Sequence, residues 1–339
     1  MILSIFAYSR QGCRTAEKIM DFFLRETVQA YTMEKFQIPG FKPIPRPSAE
    51  LYREKFSSDD ALIFVGSCGI AVRQIAPYVK DKKTDPAVLC VDELGKYVIP
   101  LLSGHIGGAN ALAIRLGEKL NALPVVTTAT DINGKFSVDA WAARNGFIIS
   151  SMQLAKEVSA GILEEKIPIL SRFPVKGDYP KGTVSSESGA LGVALTWKKE
   201  SPFHKTLRLI PRVLHLGIGC RKGTGKEAIA AAVDQVLKEY AIDPRAICCA
   251  ASIDLKAQEQ GLLDYCSENG IPITFYTAGE LNAVPGEYTP SAFVSSVTGV
   301  DNVCERSAMV GADRMIVRKT ACNGVTVAVA EEYREVYFG

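Results

Sequence analysis

The stretch 101–110, LLSGHIGGAN, places a serine, a histidine and three glycines between an apolar run and a helical pattern. Ser103 and His105 are its reactive side chains, and an imidazole exchanges protons near neutral pH. A hydrolase nucleophile, an anion cradle and a packing turn all have this composition. The nucleophile elbow G-x-S-x-G is absent, because Leu101 holds the first glycine position. Ser103 is therefore expected to donate a hydrogen bond rather than attack. His105 suits a general base or acid, a ligand to a metal carried by a bound molecule, or a structural hydrogen bond within the turn.

The pattern of apolar strand, glycine turn and helix occurs twice more, in IFV-GSCG and LHL-GIGCRKGTG. Such turns direct backbone N–H groups at a helix N-terminus, where an anion is favoured. In open parallel sheets, ligands bind outside the carboxyl ends of the strands, and all three turns are expected at such ends. The expected binding set is Gly66 and Gly69 in the first turn, with Ser103, Gly104, Gly107, Gly108 and Asn110 in the second. Gly217, Gly219, Cys220, Arg221 and Lys222 complete it in the third, where two cations suit an anionic ligand. A P-loop is excluded, since Cys220 stands at its first glycine and Glu227 at its Ser/Thr. The dinucleotide fingerprint fails too, because Gly223 follows Gly217 and Gly219 one residue late.

Two further segments carry chemistry. In SSVTGVDNVCERSA, Thr298 and Asp301 have capping-box spacing, which predicts a helix start there with Asp301 and Glu305 on one face. In SIDLKAQ, Asp254 and Lys256 follow a strand and either cap a helix or project into the same cleft.

The elements that position these residues alternate. Apolar runs such as ALIFV and AVLCV read as buried parallel strands, and TGKEAIAAAVDQVLKEY reads as an amphipathic helix. The fold class expected is α/β, two α/β domains with mainly parallel sheets joined by a small middle segment. The boundaries expected are 1–145, a middle segment and linker over 146–208, and 209–339. A chain of 339 residues exceeds what one core usually serves. A net charge of +2 argues against bulk nucleic-acid binding. No apolar run has membrane-spanning length and the start lacks signal-peptide form, so no membrane partner and a cytoplasmic location are expected. The nine cysteines form no CxxC pair, and His105, His204 and His215 stand at no zinc-finger spacing from them. Reduced thiols and no metal site of the protein's own are expected.

GIAVRQIAPYVKDKKTDPAVLCVDELGKYVIPLLSGHIGGANALA resembles the N-terminal domain of the cobalt-precorrin-5A hydrolase family, CbiG, of anaerobic cobalamin biosynthesis. GIGCRKGT, ASIDLKAQEQGLLDY, VCERSA and NGVTVAVA resemble its C-terminal domain. The resemblance covers about residues 60–145 and 211–330, and the middle segment carries no matching motif. It implies hydrolysis of the δ-lactone of a cobalt-containing contracted tetrapyrrole, with release of acetaldehyde and formation of cobalt-precorrin-5B. The substrate's carboxylates suit the glycine turns and Arg221 and Lys222. The cobalt belongs to the substrate, so no cofactor is expected. The chemistry needs a base and an oxyanion donor. His105 is the expected base, the N–H groups of 104–108 the donors, and Glu305 a second acid or base, at a cleft between the two domains. Transient contact with neighbouring corrin-pathway enzymes and a homo-oligomer are compatible with the resemblance. A non-catalytic carrier of corrinoid intermediates is the alternative reading.

Overall fold

A computed structural model describes residues 1–81, 84–105 and 107–338, with the side chains of Thr130, Asp131 and Phe293 excepted. Two compact units divide the chain, Met1–Ala140 and Trp141–Gly339. Both are α/β.

The first unit is built on seven strands: β1 (Ile2–Ala7), β2 (Thr27–Thr32), β3 (Phe41–Pro43), β4 (Ala61–Val65), β5 (Ala87–Val91), β6 (Tyr97–Leu102) and β7 (Leu123–Pro124). Its helices are α1 (Arg10–Met20), α2 (Ala49–Ser58), α3 (Cys68–Ile75), α4 (Ala109–Leu120) and α5 (Ala129–Ile132). The sheet order is β3-β2-β1-β4-β5-β6-β7. Every residue of β4 and β5 is buried, as expected for strands covered on both faces. On one face Leu89 and Val91 pack with Ala16, Ile19 and Leu116 of α1 and α4. On the other, Phe6 and Phe64 stack with Tyr31 and Tyr52. Strands β1 to β5 run parallel, but β6 pairs antiparallel to β5, with Val91 opposite Val98 and Val88 opposite Leu102.

That reversal corrects one expectation. The carboxyl end of β6, and with it the 103–110 turn, lies at the edge where β5 begins. The 66–69 turn lies at the opposite edge, where the Gly66 N–H donates to the Val91 carbonyl at 2.8 Å. Five strand residues separate the two edges by about 15 Å.

In the second unit, α6 (Val138–Arg144) spans the division. Trp141 belongs to the second unit, packing on Phe147 and Phe338 with ring centroids 5.0 Å away and donating to the Tyr337 carbonyl. The compact units therefore divide at 140/141 rather than at 145/146. Strands β8 (Phe147–Ile149), β9 (Ile167–Ser171), β10 (Val175–Lys176), β11 (Thr183–Ser185), β12 (Leu191–Leu195) and β13 (Lys205–Pro211) come next, with α7 (Met152–Glu164) among them. All but β10 form one sheet, ordered β11-β9-β12-β13-β8. The polar stretch 198–206, expected at the linker end of the middle segment, forms most of the connection between the paired parallel strands β12 and β13 and the first two residues of β13.

A second sheet carries the α/β pattern of the C-terminal half. Its strands are β14 (Leu214–Cys220), β15 (Ile247–Ile253), β16 (Ile273–Tyr276), β17 (Arg314–Cys322) and β18 (Val325–Glu331), and β19 (Val336–Tyr337) pairs with β10. The order is β16-β15-β14-β18-β17, with the first three parallel and the last two antiparallel. Helices α8 (Lys226–Glu239), α9 (Gln260–Glu268), α10 (Ala278–Ala283), α11 (Ala292–Thr298) and α12 (Val303–Met309) cover it. Helix α8 forms because Ile229, Ala232, Val233, Val236 and Leu237 recur on one face, and all five are buried.

Gly217 lets α12 lie directly on β14. A Cβ there would stand 1.9 Å from the Cys304 carbonyl oxygen and 2.9 Å from Ala308 Cβ. Gly217 is thus a packing residue, not a ligand contact. Gly217→Ala should destabilise the second unit by about 3 kcal/mol, the upper range for overpacking. Thermal melting checks this, and an unchanged midpoint would mean that α12 can move aside freely.

Candidate functional site

The carboxyl ends of β14 and β15 open onto a cavity of about 610 Å³. Strand order reverses about β14, which is where open α/β sheets place their ligands. The floor is Gly219 and Cys220, and the walls are the 221–222 turn, Lys256, α11, α12 and Lys319. Gly219 admits Thr326, whose Oγ1 would lie 2.6 Å from a Cβ at this position.

The cavity is cationic. Arg221, Lys222, Lys256 and Lys319 line it, and no carboxylate or imidazole does among the described residues. Lys256 pairs with Glu259 at 3.0 Å, and Glu259 also accepts the Gly223 N–H at 2.8 Å, which fixes the glycine turn. That backbone hydrogen bond, together with Lys256, holds the Glu259 carboxyl below its ordinary range despite the opposing effect of burial. Arg221, Lys222 and Lys319 form no ion pair among the described residues. Their charge is available to an anionic ligand. Burial pushes the Cys220 thiol up, and that of Cys304 up to about 11, so both are neutral at pH 7 and act as apolar lining. Asp254 does not line the cavity. It is the first residue of a 3-10 turn, and its Oδ1 accepts the Leu255 N–H at 2.8 Å.

The expected helix start at Thr298 is displaced. Thr298 ends α11, Gly299 follows with φ +73°, and Asn302 is the N-cap of α12, accepting the Glu305 N–H at 2.9 Å. Asp301 lies outside the helix and pairs with Arg306 at 2.6 Å. Glu305 is fully buried. Its carboxylate accepts the Lys319 N–H at 2.7 Å, the Thr289 N–H at 2.9 Å and the Thr289 hydroxyl at 2.9 Å. These hydrogen bonds overcome burial and lower its pKa. Glu305 is an ionised tie between α12, β17 and the 284–291 loop, which corrects its expected role as an acid or base.

In the first unit, the 103–110 turn is held from within. Ser103 has φ +56° and donates its hydroxyl to the Asp85 carbonyl at 2.9 Å, so it anchors the turn instead of meeting a ligand. Gly107 leaves room for this, since its Cβ would stand 2.4 Å from Ser103 Cβ. Asn110 is buried, donates to Thr128 Oγ1 at 3.0 Å and lies against Gly104. The Gly108 N–H is occupied by the His105 carbonyl at 3.1 Å, which removes it from the oxyanion donors. Ile106 lies outside the described residues, leaving Gly104, His105 and Gly107 of the expected set. His105 Nδ1 stands 3.4 Å from the Asp139 carboxylate. Asp139 is buried at the N-terminus of α6, and its Oδ1 accepts the Ala140 N–H at 2.9 Å. The sequence reading missed Asp139, although an acidic residue opening a helix in SVDAWAARNG was its visible signal. Gly66 and Gly69 stand at the other edge of the sheet, around the start of α3.

The fold and the cavity define an α/β protein with a cation-lined cavity at the carboxyl ends of its parallel strands. Residues 214–330 match the family described as "Cobalamin synthesis G C-terminus", and residues 50–131 match "Cobalamin synthesis G N-terminal". The chain is 32% identical to a cobalt-precorrin-5A hydrolase of Priestia megaterium, over 96% of this chain and 94% of that protein. It is 30% identical to a cobalt-precorrin-5A hydrolase of Salmonella typhimurium, over 96% of this chain and 97% of that protein. The crystal structure of a cobalamin biosynthesis protein G homologue from Sulfolobus solfataricus is 25% identical, covering 97% of this chain and 96% of that one, with a TM-score of 0.41. The chain belongs to the cobalamin synthesis G family, CbiG. No helix among the described residues is long and apolar enough to cross a membrane.

Proposed function

We propose that this chain is a cobalt-precorrin-5A hydrolase, opening the δ-lactone and releasing acetaldehyde. The observation that carries the reading is near full-length identity of 30% and above to two proteins of that name. The cavity supports it chemically. A tetrapyrrole with acetate and propionate arms is a polyanion, and Arg221, Lys222 and Lys319, which form no ion pair among the described residues, offer their cations to it.

Water adds to the lactone carbonyl as a base takes its proton, and the ester C–O bond breaks. The freed alkoxide collapses to acetaldehyde as the adjacent carbon–carbon bond breaks, its electron pair passing into the macrocycle. His105 supplies the base through Nε2, because Nδ1 faces Asp139. The negative charge of Asp139 stabilises the imidazolium formed. The backbone N–H groups of Gly104, His105 and Gly107 are the candidate oxyanion donors.

Anaerobic incubation with cobalt-precorrin-5A tests the reading, with acetaldehyde and corrinoid mass as readouts. Catalytic acetaldehyde with a two-carbon mass loss is expected. Tight binding without acetaldehyde would make the protein a carrier. Arg221→Ala and Lys319→Ala should each raise KM about tenfold, the loss of one charge-assisted hydrogen bond, with kcat nearly retained. An unchanged KM in both would remove the macrocycle from this cavity.

A further inference from the structure

At the opposite edge of the β14 sheet, four side chains with metal-ligand chemistry converge. His215 stands near the start of β14, Cys248 and Cys249 near the start of β15, and Glu332 just after β18. Adjacent side chains on a regular strand point to opposite faces, so consecutive cysteines do not ordinarily face one ion. Here Leu214 pairs with Ile247 and His215 with Cys249, which leaves Cys248 as the extra residue of a β-bulge. The bulge re-aims the side chain, and the two Sγ atoms lie 3.8 Å apart. Two thiolates at zinc–sulfur bond lengths on a tetrahedral ion are separated by about 3.8 Å as well.

The third and fourth donors are in reach. A ring nitrogen of His215 and both Sγ atoms all lie within 4.8 Å of one another. Glu332 Oε1 is hydrogen-bonded to His215 Nε2 at 2.6 Å and lies 3.8 Å from Cys248 Sγ, beside the three-ligand cluster, so a short swing of this exposed side chain brings it onto the ion as the fourth ligand. His215 Nδ1 is 3.0 Å from the Val310 carbonyl, so it carries a proton and leaves Nε2 to the ion. A backbone carbonyl behind a ligating histidine is the usual outer partner of such sites. Both cysteines are only partly buried and the Glu332 side chain is 44% exposed, which gives an ion a way in.

We propose that His215, Cys248, Cys249 and Glu332 form a tetrahedral site for a zinc-class divalent ion, distinct from the cation-lined cavity, that ties β14, β15 and the end of β18 together. Two sulfurs, an imidazole and a carboxylate select a borderline-soft ion over magnesium or calcium. Binding displaces the protons of both thiols and of Nε2. The site is independent of the hydrolase reading.

The test is titration of reduced, chelator-treated protein under anaerobic conditions, with Zn²⁺ and separately with Co²⁺ as a spectroscopic probe. One equivalent per chain is expected, with thiolate-to-cobalt charge transfer in the near ultraviolet, tetrahedral visible bands, and displacement of Co²⁺ by Zn²⁺. Cys248→Ser and Cys249→Ser should each weaken binding at least about 100-fold, and Glu332→Gln about tenfold, while Cys322→Ser binds as wild type. The wild-type cobalt spectrum reads ligation directly, so the result stands even if a variant folds poorly. No binding, a spectrum without sulfur charge transfer, a Cys248–Cys249 disulfide in place of binding, or full affinity in the double cysteine variant would each overturn the site.

Discussion

Replacing His105 by asparagine should lower kcat by about 10²- to 10⁴-fold, the usual contribution of a positioned general base, with little change in KM. Asparagine retains a hydrogen-bonding side chain of similar reach but cannot accept a proton near neutral pH. The turn itself should survive, because Ser103, Asn110 and the glycines hold it through contacts that do not need the imidazole. Asp139→Asn separates positioning from catalysis. The Asp139 carboxylate stands 3.4 Å from Nδ1, an ion-pair distance longer than a tight hydrogen bond. Its charge favours the protonated ring, so its removal should shift the acid limb of the pH–rate profile to lower pH. Turnover should also fall by about tenfold or more as orientation is lost. Full turnover in His105→Asn would sink the assignment. A lower rate in Asp139→Asn with an unmoved pH profile would leave Asp139 a purely structural role.

How much of this was legible in the sequence varies by residue. The α/β class, the strands ALIFV and AVLCV, and the cationic turn after LHLGIGC could all be read from apolar runs and glycine placement. The edge assignment of the 103–110 turn could not be read from its own composition, yet its cause was visible nearby. AVLCVDE and KYVIPLL are joined by a tight turn at Gly95, and parallel neighbours need a crossover of a dozen residues or more. A short connection therefore forces β6 antiparallel and sends its carboxyl end to the far edge, as the pairing of Val91 with Val98 shows. His215, Cys248 and Cys249 were invisible as a group for a different reason. They are brought together by strand pairing across more than thirty residues and by a bulge, and neither leaves a spacing signature. Glu305 was misread because a helix-face argument uses position alone. The three donors that meet it come from Thr289 and Lys319, both distant in sequence.

Glu305→Gln should destabilise the second unit by about 3 kcal/mol. One carboxylate oxygen accepts the Thr289 N–H, and the other accepts the Thr289 hydroxyl and the Lys319 N–H. A glutamine has only one acceptor oxygen, so its NH₂ must face a backbone N–H whichever way it is turned. A buried donor is then left unsatisfied, and the charge that strengthened all three bonds is gone. Arg318 does not compensate, because it is 3.6 Å away with a side chain 60% exposed. For a unit of this size, the loss should lower its melting temperature by about 6–12 °C. The pH dependence has a defined sign. The folded-state pKa is depressed, so the stabilisation is complete above the unfolded value of about 4.3 and is lost as pH falls through the folded value. The gap between wild type and variant should be constant near neutrality and close only in acid. The same tie places Lys319 and, through the cap of α12, Asn302 on the cavity wall. Glu305→Gln should therefore raise KM while leaving kcat largely intact, and should increase hydrogen exchange at the Thr289 and Lys319 amides. A variant with wild-type stability and exchange but greatly reduced kcat would return Glu305 to the chemistry.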